Sequence, residues 1–78
     1  MNNKFMRIMV FFDLPMETSR DRKEYTIFHK FLIKSGFIMM QKSVYSKLVI
    51  NNVTSQAVKN KIYENVPPSG MVALLEVT

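Results

Sequence analysis

Met6-Arg7-Ile8-Met9-Val10-Phe11-Phe12-Asp13-Leu14-Pro15 is the stretch on which the fold turns. Val, Ile and Phe favour extended backbone. Apart from Arg7 the run is apolar at odd and even positions alike, whereas a strand with one wet face alternates. It reads as a strand covered on both sides. It ends at a single carboxylate, Asp13, and Pro15, which has no N–H to give a sheet, stops it.

Working outward, Thr18 or Ser19 suits a helix N-cap. Asp21 stands three residues after Thr18, a capping box with a shortened acid. The spacing predicts a helix to about Ser35, with Gly36 as its stop. Tyr25, Phe28, Phe31 and Leu32 share one face. Arg22, Lys23, Lys30 and Lys34 lie mostly outside it. Phe37 to Ile50 is strand-like throughout and too long for one strand, so a hairpin or sharp bend is expected near Ser43 to Ser46. Asn51-Asn52 is read as the end of that hairpin, and Thr54 or Ser55 as the cap of a second helix to about Asn65 with Val58 and Ile62 one turn apart. Pro67-Pro68-Ser69-Gly70 is a turn, and Met71 to Val77 a last strand, apolar on both faces until Glu76.

The order strand, helix, strand, strand, helix, strand is the split βαβ, ferredoxin-like arrangement. It predicts an α+β fold with two helices on one face of a four-stranded antiparallel sheet, in one domain over residues 1–78. Nothing then covers the other face, although its residues are apolar. The expectation is a homodimer in which a second copy packs sheet against sheet, since a bare apolar face of that size invites aggregation.

Composition narrows the chemistry. The 78 residues include no cysteine and one histidine, so thiolate sites and disulfides are excluded and a histidine-based zinc site within one chain is disfavoured. No apolar run reaches membrane-spanning length. Met1-Asn2-Asn3-Lys4 lacks the apolar core of a secretory signal, and a cytoplasmic location is expected. Eleven Lys and Arg against six Asp and Glu give a net charge of +5, which favours polyanionic partners.

A strand-end carboxylate can hold a metal ion and clustered arginines can hold phosphates. Asp13 is accordingly the candidate catalytic and metal-binding residue, for magnesium. One carboxylate makes a thin site for a hard cation, and two copies brought together by a two-fold axis make a better one. The structural alternative is that Asp13 caps its turn by accepting from amides near Pro15 and Met16. Arg20, Arg22 and Lys23 sit in the first helical turns, where the helix dipole prefers anions. Such placement suits a bound phosphate, or else a solvated face offset by Glu17, Asp21 and Glu24. Lys30, Lys34, Lys42 and Lys47 extend the basic character, though each taken singly is read as solvated. Tyr45 can stack on a base, but a dimer interface is the favoured reading. His29 reads as solvent-facing or at the edge of the core.

These residues together bear a family likeness. The apolar strand into Phe12-Asp13-Leu14-Pro15, then Arg20-Asp21-Arg22-Lys23, Gly36-Phe37 and Gln41-Lys42-Ser43-Val44-Tyr45-Ser46 resemble the CRISPR-associated Cas-two family. Arg22-Lys23-Glu24-Tyr25 and Phe31-Leu32-Ile33-Lys34-Ser35-Gly36-Phe37 are similar to its type II branch. The resemblance implies a ferredoxin-like homodimer that bridges dimers of the integrase Cas-one and supports duplex DNA during spacer acquisition. It also implies, for some members, a metal-dependent nuclease acting on RNA or double-stranded DNA through the aspartate matching Asp13, with phosphate contacts at Arg20 and Arg22. Members usually continue past the fourth strand with one that joins the partner's sheet, and in the type II branch with a longer tail; the sequence read here runs to Thr78. A metabolite-binding regulatory module is a third reading, from fold alone.

Overall fold

A computed structural model describes residues 5–78. Met1 to Lys4, read above as carrying no secretory signal, lie outside the described residues. Strand β1 (Met6–Asp13) leads to helix α1 (Ser19–Lys34), strands β2 (Ile38–Gln41) and β3 (Val44–Val49), helix α2 (Asn52–Glu64) and strand β4 (Met71–Val77). The sheet is antiparallel with order β2-β3-β1-β4, so the fold is the expected α+β, ferredoxin-like one.

Local chemistry accounts for α1. Thr18 Oγ1 accepts from the Asp21 N–H at 3.0 Å, and the Asp21 carboxylate accepts from the Thr18 N–H at 3.1 Å, the reciprocal pair of a capping box. At the other end the Phe37 N–H donates to Leu32 O and the Gly36 N–H to Ile33 O. That is a Schellman motif, which needs a left-handed residue, and Gly36 supplies it with φ of 94°. Phe37 and Leu32, the two positions whose side chains such a motif brings together, are both buried in the core. Lys47 Nζ also donates to the Ser35 carbonyl, at the negative end of the helix.

Two boundaries differ from expectation. The β2–β3 turn falls at Lys42–Ser43, with β3 already running at Val44. Ser43 takes φ of 73° there, and β2 carries an irregularity between Met39 and Gln41. Helix α2 starts at Asn52 because Asn51 caps it, its Oδ1 accepting from the Thr54 N–H at 2.8 Å. Thr54 thus receives the cap. Ser55 is buried, and its hydroxyl donates to the Glu76 carboxylate of β4.

Pleating sorts the side chains. Met6, Ile8, Val10 and Phe12 of β1 point into the core with Phe28 and Leu32 of α1, Tyr45 and Val49 of β3 and Ile62 of α2. Phe12 sits at the centre, edge-on to Phe28 at 5.2 Å and stacked on Tyr45 at 5.4 Å between ring centroids. Intervening β1 positions Arg7, Met9, Phe11 and Asp13 belong to the other face. There Phe11 lies between Val44 and Ala73, and Met9 between Ser46 and Leu75. Among the described residues no element covers this face: Leu48 is 53% exposed, Leu75 50% and Ile38 67%. The apolar run of β1 predicts cover on both sides; in the single chain only its helix-facing side is covered.

Candidate nucleic-acid interface

Asp13 is the last residue of β1, opposite Met71 of β4. Buried Phe12 precedes it and buried Leu14 follows, so alternation turns Asp13 onto the open face, where it is exposed. It borders a shallow, mostly apolar hollow with Phe11, Met71 and Ala73. Among the described residues no hydrogen bond or ion pair engages its carboxylate, so the turn-capping role has no support. No group of three His, Cys, Asp or Glu gathers there among the described residues. One chain therefore offers one carboxylate ligand at this point.

The β1–α1 connection is held by a residue given a different task above. Arg22 Nη1 donates to the carbonyls of Met16 at 3.2 Å and Glu17 at 3.1 Å, and Nη2 to Ser19 Oγ at 3.4 Å. Its guanidinium staples the loop. Arg20 is exposed and donates to Glu24, one turn on, at 3.3 Å. Both arginines lie at the Asp13 end of the sheet, because only a short loop separates them from β1.

Lys23, Lys30 and Lys34 are all exposed. Spaced at i, i+7 and i+11, they line one stripe of α1, directed away from the buried Phe28 and Leu32. Arg22 lies roughly a quarter-turn round the helix from that stripe. The lysines thus face outward on the helix layer, and Asp13 faces outward on the opposite side of the sheet. Among the described residues none of the three lysines forms a salt bridge.

Tyr45 requires correction. It is wholly buried within the single chain and so is not available as a direct contact with a second copy. With the turn at Lys42–Ser43, Tyr45 falls opposite Val10 and points at the helices. Its hydroxyl is hydrogen-bonded to His29 Nδ1, which puts His29 at the edge of the core. Burial, with a smaller effect of Tyr25, pushes the Tyr45 phenol above its ordinary value and keeps it protonated. A second polar tie, Ser55–Glu76–Lys59, joins α2 to β4, with Lys59 Nζ at 3.6 Å from the carboxylate. Sequence reasoning missed it. The signal was Glu76 alone in an apolar strand, which calls for a partner on the helix above.

The family model described as CRISPR associated protein Cas2 matches residues 6–78. This chain belongs to the CRISPR-associated Cas2 family. It is 55% identical over 73 residues to a Treponema denticola protein named CRISPR-associated endoribonuclease Cas2, covering 94% of this chain and 72% of that one. Proteins with the same name from Streptococcus mutans and Ligilactobacillus salivarius are 48% and 45% identical over 73 residues, again 94% of this chain, and 67% and 72% of theirs. The matched span includes Asp13, the α1 stripe and the Lys42–Ser43 turn. The earlier resemblance to the family was correct. No helix among the described residues is long and apolar enough to cross a membrane.

Proposed function

We propose that the chain acts in CRISPR adaptation as a homodimeric scaffold, binding duplex DNA and bridging dimers of the integrase Cas-one while new spacers are acquired. The carrying observation is the separation of two surfaces by one sheet. The open face is apolar and suited to a second copy; the outer side of α1 carries Lys23, Lys30 and Lys34, unpaired among the described residues. Stacking two open faces leaves both lysine stripes outside, where they neutralise phosphates without reading bases. Arg20 adds to the stripe, and Arg22 serves it indirectly by fixing the loop before α1. The test is integration of a short duplex by the cognate integrase with and without this chain. Integration that proceeds equally well without it refutes the scaffold.

A second reading is favoured by the open Asp13 carboxylate and by the endoribonuclease names of the relatives. In it the chain is a magnesium-dependent endonuclease on RNA or double-stranded DNA. The donor set fits magnesium only when shared: Asp13 from each of two copies, with water completing the shell. The ion would supply an activated water and stabilise charge on the leaving oxygen. Asp13→Asn should abolish cleavage while leaving fold and dimer intact, because the carboxylate holds nothing in the described structure. Cleavage that survives the substitution rules Asp13 out.

A further inference from the structure

The β2–β3 turn lies beside the end of β1. Phe11 faces Val44, and one residue on the Phe12 N–H donates to Ser43 O at 3.1 Å. Lys42 precedes Ser43 in that turn and Asp13 follows Phe12 in β1, so both stand at the same end of the sheet. The turn is held in place: Ser43 adopts a left-handed backbone, unfavourable for a residue with a Cβ, and its carbonyl is tied to β1. Lys42 is exposed and, among the described residues, forms no hydrogen bond or ion pair. The Asp13 carboxylate is equally unengaged.

A bare carboxylate repels a phosphodiester, so a site built on Asp13 needs a cation beside it. The stripe on α1 lies on the far side of the sheet, and Arg22 is occupied by carbonyls. We infer that Lys42 is the phosphate-contacting residue of the Asp13 site, its ammonium binding non-bridging oxygens of the nucleic-acid backbone that approaches this end of the sheet. This rests on the nucleic-acid reading above and adds a second contact point to it. A lysine acts there as a compact point charge and reads no base.

The experiment measures binding of a fluorescein-labelled DNA duplex by anisotropy in EDTA, so that metal plays no part, across a salt series. Lys42→Met is compared with Lys42→Arg and with Lys61→Met, an exposed lysine on α2. Lys42→Met should weaken binding and flatten the plot of log affinity against log salt by about 0.9 for each phosphate lost. Lys42→Arg should restore it, and Lys61→Met should leave it unchanged. The Lys42→Met loss should also grow in an Asp13→Asn background, where no neighbouring carboxylate repels the phosphate that the ammonium holds. Wild-type binding with Lys42→Met equal to Lys61→Met, or a loss identical in both backgrounds, overturns this inference alone. Wild type that shows no salt-dependent binding overturns it together with the scaffold reading.

Discussion

Replacing Lys23, Lys30 and Lys34 together by glutamine should remove most of the salt dependence of duplex binding. Eleven residues separate the first lysine from the last, about 16 Å at a helical rise of about 1.5 Å per residue. That is close to half a turn of B-form DNA, about 34 Å per turn, so three lysines can meet three separate phosphates. Each neutralised phosphate contributes about 0.9 to the slope of log affinity against log salt, so the stripe contributes about 2.7 per protomer. Between 50 and 200 mM salt this amounts to a loss of about 40-fold that the triple variant should not suffer. Arg20 is left out of the count because Glu24 already shares its charge. Fluorescence anisotropy with a duplex, read at several salt concentrations, measures the slope directly. Glutamine preserves helix propensity, so circular dichroism should be unchanged. A triple variant that keeps the wild-type slope would mean that DNA lies elsewhere, and the outward stripe would then be a solvated face.

Three further outcomes follow from the polar contacts. Arg22→Ala should lower stability by about 1 kcal/mol, since three surface hydrogen bonds to the loop are lost, yet leave the salt slope of DNA binding unaltered; thermal melts and the anisotropy series separate the two. Ser43→Gly should raise the urea midpoint by the equivalent of about 0.5–1 kcal/mol, because relief of a left-handed strain of about 1–2 kcal/mol outweighs the entropy cost of glycine. Tyr45 has a folded pKa above its unfolded value of 10.0. The unfolded chain therefore releases that proton first, and the stability Tyr45 contributes, complete below pH 10.0, is lost as pH rises through the folded value. Urea melts from pH 8 to 11 should show wild type declining more steeply at the alkaline end than Tyr45→Phe. Parallel curves would mean that the phenol ionises as freely in the folded chain.

The parts of the fold that were readable without coordinates are those set by neighbours in sequence. The Thr18–Asp21 cap, the Gly36 stop and the Pro67–Gly70 turn each depend on a few consecutive residues, and all stand where expected. Tyr45 depended instead on pairing with β1. A bend put at Ser43 to Ser46, against the real turn at Lys42–Ser43, leaves the direction of Tyr45 open, and strand faces reverse with each one-residue slip. The Asn51 cap was hidden because asparagine suits a turn as well as a helix start. In the site, Asp13 was visible from the strand ending on it, and Lys23, Lys30 and Lys34 as residues outside the apolar face of α1, but their alignment in one stripe was not drawn from the sequence. The engagement of Arg22 was not, because it depends on the path of the Leu14–Thr18 loop, which no periodicity describes.

The two functional readings make different demands on the open sheet face. Arg7 and Asp13 both lie on it, six residues apart along β1, about 20 Å at a rise of about 3.3 Å per residue. Arg7 donates to Ser46 Oγ at 3.4 Å and shields it from solvent. If two copies stack with their two-fold axis over the middle of β1, Asp13 comes to lie over Arg7 of the partner subunit. Both charges are then paired, which a buried arginine needs because desolvating it alone is costly. If the axis instead passes at the Asp13 end, two carboxylates meet and Arg7 stays at the wet rim. Only this second arrangement can share a magnesium ion. Sedimentation equilibrium in EDTA distinguishes them. In the first, Arg7→Glu and Asp13→Arg should each weaken the dimer, and the double variant should recover it. In the second, Asp13→Asn should tighten the dimer by removing a like-charge pair, and Arg7→Glu should change little. Charge-swap rescue would leave the scaffold standing and remove the shared-metal nuclease, because a carboxylate engaged by arginine in every dimer is not free to hold an ion.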